Sequence, residues 1–218
     1  MNRSQRQAIG VFGGTFDPIH YGHLRPALEL YEQLNLQRML MLPCAVPAHR
    51  PQPLATAEQR LAMLHLAIAD EPRLEADLRE LKRGGTSYMV DTLHSLRREV
   101  GRKPLCLCLG LDAFLGLPGW HQWQELLDLA HIVVAHRPGW TLEMESIEPE
   151  LQRLIAVHLH DSDVSECERS AGALLLQPVT QLAISATDIR ERISSGRSAR
   201  YLMPEPVWNY IQKMKLYR

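Results

Sequence analysis

Two histidines, one arginine and a run of small residues form the densest chemistry in this sequence. After an apolar stretch from Ala8 to Phe12 the chain reads Gly13-Gly14-Thr15-Phe16-Asp17-Pro18-Ile19-His20-Tyr21-Gly22-His23-Leu24. The paired glycines let backbone pass close to a ligand with no side chain in the way. A helix opening just afterwards aims free N–H groups and the positive end of its dipole at whatever lies there, which favours phosphate. His20 and His23 are three apart at that helix start, so both rings can face one side, and Gly22 between them leaves room for a base or sugar against the backbone. The set suits a nucleoside triphosphate with two imidazoles on its phosphates. Other phosphate motifs do not fit. No G-x-x-x-x-G-K-[ST] occurs, Gly13-Gly14 lacks the third glycine of a dinucleotide fingerprint, and Lys82-Arg83-Gly84-Gly85-Thr86-Ser87 has a phosphate loop's residues in reverse order.

Far along the chain, Ile184-Ser185-Ala186-Thr187-Asp188-Ile189-Arg190 repeats the theme. Ser185-x-x-Asp188 reads as an N-cap box, which accounts for the serine and aspartate but not for Arg190. A cation in the first turn opposes the helix dipole, whereas a bidentate grip on phosphate would justify it. Between these segments, Thr86-Ser87-Tyr88 precedes a helix whose free N–H groups suit a carboxylate. Trp120 sits in a Gly/Pro turn, and Pro47-Ala48-His49-Arg50 supplies a basic pair. His158-Leu159-His160-Asp161-Ser162-Asp163 holds metal-ligand types, but in an irregular polar stretch that reads as a solvated loop. His65 falls on the apolar face of its helix as a core histidine, and Trp208 and Tyr210 read as packing residues.

The elements that must position these groups alternate in type. Strands are expected at 8–12, 39–42, near 74, at 105–109, 132–135 and 174–176. Helices are expected at 22–34, 88–100, 122–129, 148–158, 187–194 and 207–213, and another opens at the capping box Thr56-Ala57-Glu58-Gln59 with Leu61, Leu64, His65 and Ile68 on one face. The loop holding Pro43, Pro47, Pro51 and Pro53 has too much proline for regular structure. Strand–helix alternation means an α/β protein with a doubly wound parallel sheet. Its ligand belongs beyond the carboxyl ends of the strands where their order reverses, so chemistry should follow the first strand above all.

Composition agrees. The 218 residues are expected to form a single domain, with 45% hydrophobic and 22% charged side chains. Twenty-four basic against 25 acidic residues exclude a strongly basic nucleic-acid coat and an acidic tail. No apolar run approaches the ~18 residues of a membrane span. Met1 to Arg6 leads straight into a strand with neither an apolar leader core nor a cleavage site, so the protein is expected to be cytoplasmic. Cys106 and Cys108 alternate within a strand as small core residues on one face, and Cys44 and Cys167 stand alone. No C-x-x-C and no metal-ligand spacing occurs. Homo-oligomerisation is left open.

Gly13 to His23 resembles the G-x-F-x-P-x-H-x-G-H signature of the HxGH nucleotidyltransferases, and Ile184 to Arg190 resembles their second signature, I-S-[SA]-T-x-I-R. Both in the right order make the pair specific, and the likeness runs from Gly10 to Arg218, nearest to the bacterial nicotinate-nucleotide adenylyltransferase family. The resemblance implies a Rossmann-like nucleotidyltransferase domain over 1–218, with 183–218 carrying the second signature and the closing helices. It implies that the 5′-phosphate of nicotinate mononucleotide attacks the α-phosphate of ATP, giving deamido-NAD and pyrophosphate. Mg²⁺ would travel with ATP rather than in a dedicated protein cage. His23 would take the α-phosphate, His20 the neighbouring oxygens and Arg190 the β- and γ-phosphates. ATP would also meet Gly13, Gly14, Thr15 and Phe16, the His49–Arg50 pair, Gly110 and Asp112 at the end of the central strand, and Ser185 and Thr187. Nicotinate mononucleotide would meet Thr86, Tyr88, Met89, Trp120 and Arg137, with Trp120 stacked on the pyridine ring. The chain departs from the family at Cys44, Ala48 and Met89, where asparagine, proline and threonine are usual. Rival readings are the same chemistry on nicotinamide mononucleotide or phosphopantetheine, and a nucleotide sensor without catalysis. A class I tRNA synthetase fragment is disfavoured because no K-M-S-K-S is present.

Overall fold

The strands of this chain are apolar on both faces, so neither face tolerates water and each needs a helical layer. The computed structural model describes residues 8–48, 51–139, 143–144, 147–160 and 169–218. The strands are β1 (Ile9–Gly14), β2 (Arg38–Pro43), β3 (Val46–Pro47), β4 (Leu74–Ala76), β5 (Thr86–Ser87), β6 (Leu105–Gly110), β7 (His131–His136) and β8 (Leu174–Pro178). The helices are α1 (Tyr21–Gln33), α2 (Ala57–Ile68), α3 (Arg79–Arg83), α4 (Met89–Val100), α5 (Leu111–Leu115), α6 (Leu126–Leu129), α7 (Pro149–His158), α8 (Ala186–Ser194) and α9 (Glu205–Met214). Six strands form one sheet in the order β4-β2-β1-β6-β7-β8, every pairing parallel.

Period-two alternation sorts the strand side chains between two cores. Met39, Met41, Cys106, Cys108 and Val133 face one layer, where they meet Ala27 and Leu30 of α1, Met63 and Leu64 of α2, Ile189 of α8 and Ile211 of α9. Ile9, Val11, Leu40, Leu107 and Leu109 face the other, against Leu93 and Leu96 of α4, Phe114 of α5, Leu126 of α6 and Leu151 of α7. The sheet is doubly wound, as expected, and both cysteines of β6 lie on one face.

The order reverses between β1 and β6. The chain steps outward from β1 through β2 to β4, then returns to β6 on the opposite side of β1. These central strands pair only through Ile9–Val11 against Leu105–Leu107. Beyond that point Phe12–Gly14 stay with β2 and Cys108–Gly110 stay with β7. The carboxyl edge of the sheet therefore splits into a crevice at the reversal, where open parallel sheets bind ligands.

Three local expectations need correcting. The proline-rich loop is not wholly irregular, because Val46–Pro47 pairs in parallel with Thr86–Ser87 as a separate two-stranded ribbon. The helix expected at 122–129 is shorter: Gln122 is left-handed at φ 50°, Trp123–Glu125 is a 3-10 turn, and α-helix covers only Leu126–Leu129. The capping box of α2 is present, but the buried stripe is Arg60, Met63, Leu64 and Ile68. His65 lies beside that stripe and is exposed rather than a core residue. Trp208 and Tyr210 pack half-buried against the core, as anticipated. Among the described residues no helix is long and apolar enough to cross a membrane.

Candidate active site

The turn after β1 leaves the sheet beside the crevice and leads into α1. Phe16 adopts φ 53° and folds its ring back over Gly14, where a Cβ would lie 2.5 Å from the ring, so the close approach requires glycine. The same buried ring meets His23 edge-on with centroids 5.2 Å apart. His20 is the N-cap of α1 and its imidazole stacks on that of His23 at 3.8 Å and 28°. The i,i+3 spacing thus brings the two rings together as expected. His20 is only 4% exposed, and among the described residues its Nδ1 has no hydrogen-bond partner. Burial lowers its pKa to about 4, so it is neutral at physiological pH. The room expected beside Gly22 is already filled. A Cβ there would fall 2.9 Å from the His20 ring and 3.0 Å from the Ile184 carbonyl oxygen. Gly22 accommodates its neighbouring histidine and the second signature segment, not a base or sugar.

Ile184 marks where the two signatures meet. Ser185 caps α8, its hydroxyl accepting from Asp188 N at 3.0 Å. Arg190 is the fifth residue of α8 rather than part of the first turn, and its guanidinium reaches back toward the helix start. Nη2 donates to Thr187 Oγ1 at 3.1 Å, and Nη1 donates to the Asp17 carbonyl at 2.7 Å across 173 residues of sequence. The Asp17 carboxylate is 4% exposed and accepts from Leu54 N (2.9 Å), Ala55 N (3.1 Å) and the Tyr217 hydroxyl (2.7 Å), with Arg190 3.9 Å away. Burial, together with this carboxylate, pushes the Tyr217 phenol far up, so it remains a donor. Arg190 is therefore held by the first signature before any ligand arrives.

Thr86, Ser87 and Tyr88, expected on the acceptor side, lie directly before a helix as anticipated. Thr86 and Ser87 form β5 in the ribbon, and the Ser87 hydroxyl accepts from Ala45 N at 2.9 Å. Tyr88 caps α4 with its ring 4.5 Å from that of His121. Met89 opens α4, and its methyl lies 3.0 Å from where a Gly13 Cβ would stand, so α4 abuts the end of β1. Across the crevice, Gly110 and Asp112 are both exposed, at the end of β6 and the first turn of α5. Trp120 is half-buried against the core, and Arg137 follows β7 with Nε donating to Gln181 Oε1 at 3.2 Å. His49 and Arg50 lie outside the described residues, as do Asp161, Ser162 and Asp163. His158 Nδ1 lies 2.9 Å from the Gly172 carbonyl oxygen. Among the described residues no three of His, Cys, Asp and Glu gather as a metal-holding group.

Three residues that sequence reading did not single out tie the site together. Asp17 and Tyr217 anchor Arg190's surroundings, and Arg60 of α2 lies 1% exposed beneath Thr15, donating to its carbonyl at 2.8 Å. The signal for Arg60 was available: an arginine on the apolar stripe of a helix is an anomaly that requires an internal partner.

Residues 11–192 match the cytidylyltransferase-like family. Two relatives, each named "Probable nicotinate-nucleotide adenylyltransferase", resemble the chain along nearly its full length. That of Methylococcus capsulatus is 48% identical over 96% of this chain and 99% of its own. That of Cellvibrio japonicus is 49% identical over 98% of this chain and 100% of its own. Plasmodium falciparum nicotinic acid mononucleotide adenylyltransferase, solved in complex with NaAD, superimposes with TM-score 0.71, 15% identity and 97% coverage of both chains, a likeness of fold. With both signatures meeting at the split edge of the sheet and near-half identity to those relatives, the chain belongs to the cytidylyltransferase-like family and, within it, to the nicotinate-nucleotide adenylyltransferases.

Proposed function

We propose that this protein transfers the adenylyl group of ATP to the 5′-phosphate of nicotinate mononucleotide, releasing pyrophosphate and forming deamido-NAD. The observation that carries the reading is the meeting of the two signature segments, 173 residues apart at Arg190 and Asp17, beside the crevice between β1 and β6. A mononucleotide phosphate is already an anion near neutral pH, so no general base is needed. Its oxygen attacks the α-phosphorus, the bond from that phosphorus to the bridging oxygen breaks, and pyrophosphate leaves with the electron pair. The protein's task is to bring two anions together and stabilise charge on the phosphoryl oxygens. In this reading His23 donates to the α-phosphate, neutral His20 offers its N–H to a neighbouring oxygen, and Arg190 meets the β- and γ-phosphates. Thr187 and Asp17 hold Arg190 aimed, so little rotamer freedom is lost on binding. Mg²⁺ comes with ATP as part of the substrate and neutralises the triphosphate.

The acceptor reading assigns the nicotinate carboxylate to the start of α4 around Tyr88 and Met89, and the pyridine ring to Trp120. Asp112 and Gly110 would meet a ribose across the crevice, and Arg137 the mononucleotide. The test is a product assay with ATP and Mg²⁺, run in parallel on nicotinate and nicotinamide mononucleotides with pyrophosphate release measured. A large preference for the acid is expected. Equal rates would assign the enzyme a dual substrate range and discount a carboxylate site at α4. ATP binding with no dinucleotide from either would favour the sensor reading.

A further inference from the structure

Arg60 occupies an unusual place for a cation. Its main chain is fixed at the start of α2, where Arg60 N donates to Thr56 O at 2.9 Å behind the capping box. Its side chain is 1% exposed, yet among the described residues no carboxylate lies within 4.0 Å of it. The guanidinium donates instead to two carbonyls on different segments, Nη1 to Thr15 O at 2.8 Å and Nη2 to Ala45 O at 3.1 Å, with Cys44 Sγ 3.9 Å from Nη1. Nε has no partner. Removing a guanidinium from water without a counter-charge is costly, and a neighbouring apolar side chain would fill this volume more cheaply.

What the guanidinium joins gives it a purpose. Thr15 belongs to the turn bearing His20 and His23. Ala45 donates to Ser87 Oγ at 2.9 Å, and Ser87 leads directly into Tyr88 and Met89. The buried Glu80 carboxyl of α3, hydrogen-bonded to the Ser87 side chain, accepts from Thr92 Oγ1 of α4 at 2.7 Å and so joins α3 to α4 beside the ribbon. One planar fork therefore spans from the phosphate-side turn to the acceptor-side segment.

We propose that Arg60 is a positioning residue for adenylyl transfer. By holding the carbonyls of Thr15 and Ala45 together it sets the separation between the ATP and mononucleotide subsites while touching neither substrate. The inference rests on the assignment of those subsites under Proposed function. Attack requires the reacting oxygen and phosphorus within about 3–3.5 Å and aligned, so a small shift between the two segments acts on turnover more than on binding.

The test compares wild type, Arg60→Lys, Ser87→Ala and the double variant, measuring kcat, KM for each substrate and the thermal unfolding midpoint. Rates are taken on whichever mononucleotide the wild type turns over, so the wild-type rates test the reaction and the ratios between variants test the tie. Arg60→Lys keeps a charge but not the planar fork. It is expected to lose about 10²-fold in kcat with both KM values nearly unchanged. Ser87→Ala should lose less, and the double variant should be no slower than Arg60→Lys alone, because both cut one connection. Wild-type kcat in folded Arg60→Lys, or multiplying losses in the double variant, would overturn the proposal. If Arg60→Lys fails to fold, Ser87→Ala decides: reduced kcat at an unchanged KM is expected, and wild-type kcat would refute the tie.

Discussion

His20 stacks on His23 at the start of α1, and the protonation of His20 follows from its burial. With rings stacked at 3.8 Å, His20 and His23 would repel if both were charged, and burial keeps His20 neutral until about pH 4. In the proposed reaction, replacing His23 by Ala removes a donor to the charge that develops in the transition state. It is expected to reduce kcat by about 10²–10³-fold while leaving the far-ultraviolet circular dichroism and the unfolding midpoint in place. Burial also lowers His131 to about 4; its Nδ1 accepts from Ala173 N at 3.1 Å, so the neutral ring is required there. Both groups have folded pKa values below their unfolded value near 6.5, so the unfolded chain binds more protons between pH 4 and 6.5. Stability is then fully present above pH 6.5 and is lost as pH falls toward 4, by up to roughly 3 kcal/mol per group. Thermal melts from pH 7.5 to 4.5 should show a declining midpoint, and a flat profile would contradict this. At the residue scale the signature positions were legible because their types and spacing are local properties. Arg60 was passed over and His65 misplaced for the opposite reason: which stripe of α2 is buried depends on what packs against it.

Elements set the tolerances of the site. Gly22 sits where α1 starts, with the His20 ring on one side and the Ile184 main chain on the other. A methyl there can push the ring but not the backbone oxygen. Gly22→Ala should therefore displace His20 and lower kcat by about 10–10²-fold, with a smaller effect on the unfolding midpoint. Unchanged kinetics would mean that the His20 position is not critical. The six strands of the main sheet, the α2 capping box and the Ser185 cap were readable, since each is encoded within a few residues. The β3–β5 ribbon was not, because two-residue strands leave no periodic pattern and their pairing joins segments about forty residues apart. The same ribbon makes Thr86 and Ser87 paired strand immediately before α4. The α/β class was readable from alternation alone. The splitting of β1 from β6 was not, because register is a property of the assembled sheet.

At the scale of the whole molecule, Asp17 joins three distant stretches of chain. Its carboxylate accepts from Leu54, Ala55 and Tyr217, and its carbonyl accepts from Arg190. Asp17→Asn puts an amide N–H against one of these donors and leaves a buried group unsatisfied. The expected cost is about 1–3 kcal/mol, together with a fall in kcat as the turn bearing Arg190's anchor loosens. Chemical denaturation and steady-state assays would measure both, and wild-type values in each would show the hub to be redundant. The hub also imposes an order in time. The histidine turn leaves the ribosome early, but its partner Arg190 is made 173 residues later and Tyr217 lies 200 residues beyond Asp17. Contacts of such separation form only after most of the chain exists. A nascent or prematurely terminated chain that stops short of Arg190 therefore holds both histidines yet lacks the guanidinium that fastens their turn to α8.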